Sequence, residues 1–235
     1  MIYINNTMPP FIISIEGNIG AGKSTFVSLL QSKMKNIIFL QEPVKDWETI
    51  TDTNGESILS KFYKDQQTYS FSFQMMAYIS RLAMIKETIQ KNPNAIIVTE
   101  RCLQTDRHVF AKMLYDEGKI EDINYDIYLK WFDTFYNDYP ISHYIYLQTS
   151  PQTSYDRVLE RNRTGEAIPL DYLQKCHSYH ENWLGTPNIK AQTTYINAND
   201  NKSCMELWIN CVGKVIEKGV AQNKNITLNG MFNSI

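Results

Sequence analysis

The chain has 235 residues, 43% of them hydrophobic, which supports one sizeable core or one domain with a small lid. Lys and Arg total 23 against 25 Asp and Glu, a net charge of −2, and that balance argues against a nucleic-acid-binding surface, which needs clustered basic charge. No apolar stretch reaches membrane-spanning length, and MIYINNTMPP lacks the regions of a secretory signal. Cys102, Cys176, Cys204 and Cys211 form no C-x-x-C pair, so reduced thiols and a cytoplasmic setting are expected.

In chain order, the apolar run Phe11–Glu16 reads as a strand and is followed by GNIGAGKST, residues 17–25. This is G-x-x-x-x-G-K-[ST], a phosphate-binding loop opening a helix over Lys23–Met34. Gly17, Asn18, Gly20 and Gly22 let backbone N–H groups close around phosphate oxygens, assisted by the helix dipole. Lys23 supplies a charge for the outer phosphates, the Ser24 hydroxyl closes the motif and suits Mg²⁺, and Thr25 follows it as a further loop residue. Further strands are expected at Ile37–Gln41, Ala95–Thr99, Tyr144–Gln148 and Thr193–Asn197. Helices are expected at Phe71–Gln90, Gln104–Tyr115, Ile123–Phe135, Pro151–Arg161 and Leu170–Trp183. Continuous apolar strands alternating with helices imply an α/β fold with a parallel sheet covered on both faces, and ligands beyond the strands' carboxyl ends. The tail after Val220 is polar, weakly patterned and expected to be loose.

Several residues fall where such a fold places its cleft. Glu42 ends the second strand before Pro43, and reads as a cleft carboxylate or a solvated strand-end acid. Glu100 and Arg101 end the third strand, and read as a Mg²⁺-binding acid with a phosphate-binding arginine or as a surface ion pair. Arg157, Arg161 and Arg163 cluster at a helix end, as a lid over phosphates or as a solvated basic terminus. Phe71, Phe73, Gln74, Tyr78 and Arg81 lie on one expected helix, and Gln74 and Arg81, two turns apart on one face of it, read as base-edge readers or the set as ordinary core and surface. His177 and His180 are more economically packing or surface residues than metal ligands, since no third ligand is evident nearby. Asp52-Thr53-Asn54-Gly55 matches a loose D-x-x-G, but no N-K-x-D guanine reader follows a strand, so a loop turn is the better reading than a nucleotide switch.

GNIGAGKST, EPVKDW, FYKDQQTYSFSFQ with Arg81 downstream, ERCLQTDRHVFA, ERNRTGEAIPLDYL and CHSYHENWL together resemble the deoxynucleoside kinase family, from the phosphate loop to about Trp183. The resemblance implies a three-layer phosphate-loop kinase fold, with a five-stranded parallel sheet between helices and a small arginine-bearing lid over residues 157–168. It implies one kinase domain over residues 1–220, with a tail over 221–235. Glu42 matches the general base for the sugar 5′-hydroxyl, and Arg101 the arginine that steadies it and the transferring phosphoryl. Glu100 matches the acid that places Mg²⁺. Tyr63 and Glu166 match the pair holding the 3′-hydroxyl; Glu166 is the only acid in a segment one residue shorter than in mammalian members. Gln74, Arg81 and Asp106 match base readers, and Trp47, Phe73 and Phe110 the aromatic walls. Arg157, Arg161 and Arg163 match lid arginines over the donor, ATP or another nucleoside triphosphate. An arginine and an aspartate at 81 and 106 imply deoxycytidine and purine deoxynucleosides ahead of thymidine, and the family implies a homodimer through long helices. The rival reading is a nucleoside monophosphate kinase such as thymidylate kinase, whose anionic acceptor would need a basic cradle rather than a carboxylate base.

Overall fold

The computed structural model describes residues 10–163, 166–200 and 204–222. Strand β1 (Phe11–Glu16) lies at the centre of a five-stranded, wholly parallel sheet. Its neighbours are β3 (Ile96–Glu100) and β4 (His143–Gln148), with β2 (Ile37–Leu40) and β5 (Thr193–Asn197) at the edges, giving the order β2-β3-β1-β4-β5. Ile13 pairs with Val98 on one side and His143 on the other. The chain therefore changes direction of travel across the sheet at β1, and a crevice opens there beyond the strands' carboxyl ends. All five expected strands form, within a residue of their expected limits.

Alternate residues of β1 point to opposite faces, and each face has its own core. Ile13 and Ile15 pack with Phe26, Val27 and Leu30 of α1 (Lys23–Lys33) and with Val212 and Ile216 of α11 (Met205–Gln222). Ile12 packs with Ile97, Met113 and Tyr144, and with Leu173 and Trp183 of α9 (Leu170–Leu184). Each fully buried aliphatic side chain contributes about 1.5–3 kcal/mol of transfer free energy. A third, aromatic cluster joins α3 (Ile58–Lys64), the 26-residue α4 (Gln66–Lys91) and α7 (Asp122–Phe135) through Phe62, Phe73, Tyr78, Tyr128 and Phe132. Asp65 caps α4 by accepting from Thr68 N at 3.1 Å, and Ser150 caps α8 (Pro151–Arg161) by accepting from Thr153 N at 3.1 Å. The turn at Asp52–Gly55 closes by a 3.0 Å bond from Gly55 N to Asp52 O, so D-x-x-G is a loop turn.

The structure differs from the sequence expectation in three places. The helix expected at Gln104–Tyr115 is a short turn, α5 (Leu103–Thr105), then a π-helical segment (Asp106–Ala111), then α6 (Lys112–Asp116). Lys112 N donates to the carbonyl of Arg107, five residues back, and such wide turns recur at functional sites. The short helices α2 (Val44–Thr49), α3 and α10 (Pro187–Lys190) fall below the length that periodicity resolves. Helix α11 spans a stretch to which the pattern assigned no helix, because Gly213 and Gly219 weaken it by about 1 kcal/mol each. Gly219 is used: a Cβ there would stand 2.0 Å from the Phe11 ring. The helix enters the stretch expected to be loose, and residues 223–235 lie outside the described residues.

Candidate active site

The phosphate loop leaves β1 and enters α1 under α8. Gly20 has φ 82°, and a Cβ there would stand 2.3 Å from Ser154 O, so only glycine fits this bend. Asn18 works within the loop: its Nδ2 donates to Leu173 O at 2.9 Å and its Oδ1 accepts from Ile19 N at 2.9 Å. Lys23 is buried and donates to Asn18 O at 2.8 Å. Burial, then the nearby Arg101 charge, lowers its ammonium to about 7. Ser24 Oγ donates to Glu100 Oε1 at 2.8 Å. A hydroxyl beside a carboxylate is a donor set that fits Mg²⁺, completed by phosphate and water oxygens.

On the floor, carboxylates and arginines interlock. Glu42, just past β2, accepts from Arg101 Nη1 at 2.7 Å and from Arg81 Nη2 at 2.9 Å. Burial pushes its carboxyl up, but Arg101, Arg81 and Lys23 together outweigh that and bring it down to about 2. Arg101 has φ 61°, a left-handed conformation costing a non-glycine residue about 1–2 kcal/mol. That conformation lays its guanidinium over the Phe110 ring, 5.0 Å from the centroid, with Nη2 3.5 Å from Gly17 O. Arg101 thus spans from the phosphate loop to Glu42. Arg81, expected among the base readers, is fully buried beneath the floor. Its Nε and Nη2 donate to Asp106 at 2.9 and 3.3 Å, and its Nη1 donates to Glu100 O at 2.9 Å. Its guanidinium is committed to these acceptors and to Glu42, and its partners Glu42, Glu100 and Asp106 line the cleft while Arg81 does not. Burial raises the Asp106 carboxyl, and the two Arg81 bonds oppose this.

Beyond Glu42 the walls are aromatic. Trp47 of α2 meets Phe73 of α4 edge-on at 5.5 Å and donates from Nε1 to Ser80 Oγ at 2.9 Å. Phe73 stacks on Phe62 at 4.5 Å. Gln74 lies 2% exposed with its Oε1 unpartnered among the described residues, and it lines the cleft. Tyr63 lines the cleft too, and burial followed by the Glu166 charge raises its phenol. At the rim Glu166 accepts from Arg161 Nη2 at 2.5 Å and pairs with Arg163 Nη1 at 3.8 Å. Arg157 stands apart from that pair, donating to the carbonyls of Ala198 and Asn199 at 2.9 and 3.1 Å beyond β5.

The site residues expected from the sequence, except Gly17, Asn18 and Arg81, line one cleft of about 740 Å³, within the usual range for small-molecule sites. Tyr172 and Trp208 line it as well. Neither was anticipated: Trp208 sits on α11, and Tyr172 reads as ordinary core. Glu16, buried behind the phosphate loop, was also missed, its one signal being a charged residue closing an otherwise apolar strand. His180 is buried with Nδ1 2.7 Å from Cys176 O, and His177 lies 3.9 Å from Glu181, so neither belongs to a metal centre among the described residues.

The family model described as deoxynucleoside kinase matches residues 13–217. A probable deoxycytidine kinase of Fowlpox virus is 39% identical over 180 residues, covering 75% of this chain and 72% of the relative. Human deoxycytidine kinase is 34% identical over 205 residues, covering 78% of this chain and 79% of that one. A mitochondrial deoxyguanosine kinase of Xenopus laevis is 28% identical over 225 residues, covering 88% and 83%.

Proposed function

The chain belongs to the deoxynucleoside kinase family and phosphorylates deoxynucleosides, and on that premise we propose how its cleft does so and which bases it takes. The acceptor is the 5′-hydroxyl of a 2′-deoxynucleoside lying between the aromatic walls Trp47, Phe73 and Phe110. The observation that carries this reading is that Glu42 and the phosphate loop open on the same cleft, with Arg101 between them. Glu42 orients the hydroxyl and takes its proton. Two arginines hold this carboxylate at about 2, so it is a weak base, and the proton moves late, once the forming bond has acidified the alcohol. Arg101 balances the charge that develops between acceptor and loop. Tyr63 and Glu166 hold the 3′-hydroxyl.

The donor is ATP. Gly17, Asn18, Gly20, Gly22, Lys23, Ser24 and Thr25 form its cradle, and Arg157, Arg161 and Arg163 close over its phosphates. Ser24 and Glu100 would hold Mg²⁺, which neutralises phosphate charge when bound.

Base choice follows from the floor. Asp106 is kept an acceptor by Arg81, and Gln74 offers an unpartnered carboxamide. The exocyclic amino group of cytosine or adenine, or the N1–H and 2-amino group of guanine, donates to Asp106. Thymine would turn a carbonyl oxygen and a methyl group toward it, leaving a buried acceptor facing another acceptor. Deoxycytidine and purine deoxynucleosides are therefore the substrates. We also propose a homodimer: Ile123, Ile127 and Trp131 recur every fourth residue along α7 and are exposed, and Ile79 is exposed on α4, which packs against α7. A cytoplasmic location accords with four cysteines joined by no disulfide, and no helix among the described residues is long and apolar enough to cross a membrane.

The test offers deoxycytidine, deoxyadenosine, deoxyguanosine, thymidine and deoxycytidine monophosphate separately, with ATP and Mg²⁺. Deoxycytidine and the purines should exceed thymidine in kcat/KM by about tenfold or more. Thymidine as best substrate would remove the base assignment. Preferential transfer to the monophosphate would restore the monophosphate-kinase reading.

A further inference from the structure

Glu16 closes β1 and is fully buried one residue before the phosphate loop. Four contacts with uncharged side chains hold its carboxylate. Ser14 Oγ donates to Oε1 at 2.5 Å and Cys102 Sγ donates to Oε1 at 3.2 Å. Thr105 Oγ1 lies 2.8 Å from Oε1 and 2.7 Å from Oε2, sharing one hydroxyl hydrogen between them. Burial, then the Glu16 charge, raises the Cys102 thiol well above its usual range, so it stays protonated and donates. Thr105 Oγ1 also accepts from Cys102 N at 3.2 Å, which closes the first turn of α5.

These contacts straddle Arg101. Its N–H donates to Ile15 O at 3.0 Å and its carbonyl accepts from Thr99 Oγ1 at 3.0 Å. A left-handed, non-glycine residue relaxes unless its surroundings over-determine it. Here the chain before Arg101 is zipped to β1, and the chain after it is bound to the Glu16 carboxylate. We infer that Glu16 is a positioning residue for phosphoryl transfer: with Cys102 and Thr105 it holds Arg101 in its left-handed conformation and so aims that guanidinium at Glu42. The inference rests on the reading above in which Arg101 and Glu42 act at the 5′-hydroxyl.

The experiment uses the full chain with deoxycytidine and ATP, and measures kcat, both KM values and thermal stability for Glu16→Gln, Thr105→Val, Thr105→Ser, Arg101→Lys and the Glu16→Gln/Arg101→Lys double variant. Glu16→Gln and Thr105→Val should each lower kcat about 10- to 100-fold, the usual cost of a misplaced group, with KM for deoxycytidine within about threefold. Thr105→Ser restores the hydroxyl and should return kcat to within about threefold of the parent. On the Arg101→Lys background, Glu16→Gln should cost less than about twofold more, because the group it aims is already gone. Losses that multiply in the double variant, or a raised KM for ATP with kcat intact, would overturn the inference and make Glu16 a tether of the phosphate loop. Should Glu16→Gln fail to fold, the valine–serine pair at position 105 decides alone. If Arg101→Lys leaves kcat unchanged, the proposed role of Arg101 fails first, and this inference falls with it.

Discussion

The floor of the cleft and its rim use the same chemistry, arginine against carboxylate, under different solvation. On the floor the Arg81 and Arg101 side chains are 0% and 5% exposed and share Glu42, which is 15% exposed. On the rim the Arg161 and Arg163 side chains are 35% and 33% exposed around Glu166. Removing one partner of a buried set leaves an uncompensated charge, so floor contacts persist whatever is bound. The Glu166 side chain is itself 5% exposed, but its two arginines reach solvent and can be screened there, so a triphosphate can compete for them. On the proposed function, the same interaction gives a fixed base in one place and an exchangeable clamp in the other.

Replacing the floor carboxylate without changing its shape tests the first half of that contrast. Glu42→Gln should lower kcat by about 10²–10⁴-fold, the span of a positioned base, while the dissociation constant for deoxycytidine changes by less than about fivefold. Single-turnover transfer and equilibrium binding measure the two separately. A near-normal kcat would end the assignment of Glu42 as the base and make the floor purely structural.

Arg81→Met asks whether the floor is rigid because it is paired. The substitution leaves Glu42 without one of its two arginines and Asp106 without its bidentate partner. Breaking such a buried set costs about 3–5 kcal/mol, a fall in Tm of about 6–20 °C for a chain of this size. The pH dependence has a definite sign. Glu42 is held at about 2 against an ordinary 4.5, so its contribution to stability is complete above 4.5 and is lost as pH falls toward 2. With Arg81 gone the folded value moves up toward 4.5, so this pH-dependent contribution shrinks, and the acid-unfolding midpoint rises because the variant is less stable wherever Glu42 is ionised. Equal stability of Arg81→Met and the parent across that range would refute the contrast between floor and rim.

The parts of the molecule legible in the sequence are those whose signal is local. The phosphate loop is contiguous, and the five strands are short apolar runs with clear ends, so the sheet and the acids at its carboxyl edge (Glu42, Glu100) follow from reading along the chain. Depth is not a local property. Gln74 and Arg81 share a helix face, but two turns of helix separate them by about 10 Å, and that distance carries Arg81 from the cleft wall to beneath its floor. Asn18 has the right place for a ligand group, yet its side chain is spent on Leu173, 155 residues away. Glu16 shows only as a charge closing β1, since its partners Cys102 and Thr105 stand beyond another strand. Helix α11 and its Trp208 are hidden by two glycines, one of them needed where Phe11 packs against the helix.

The rim supplies the smallest and most selective effect. Arg163 stands 3.8 Å from Glu166, too long for a strong hydrogen bond, and a third of its side chain is exposed. Arg163→Gln should therefore shift Tm by less than about 4 °C, since such a pair contributes about 1 kcal/mol or less. Its cost should fall on the donor instead, as a KM for ATP raised about three- to tenfold with kcat within about twofold, because a partly exposed guanidinium adds uniform binding to a phosphate. Repeating the measurement from about 0.05 to 0.5 M salt should narrow the gap between variant and parent, as screening removes what this arginine adds. Under the same salt series the Glu42→Gln deficit should not move, because its arginines lie out of reach of solvent ions. A salt-sensitive Glu42 variant beside a salt-insensitive Arg163 variant would invert the comparison, assigning the exchangeable contacts to the floor and the fixed ones to the rim.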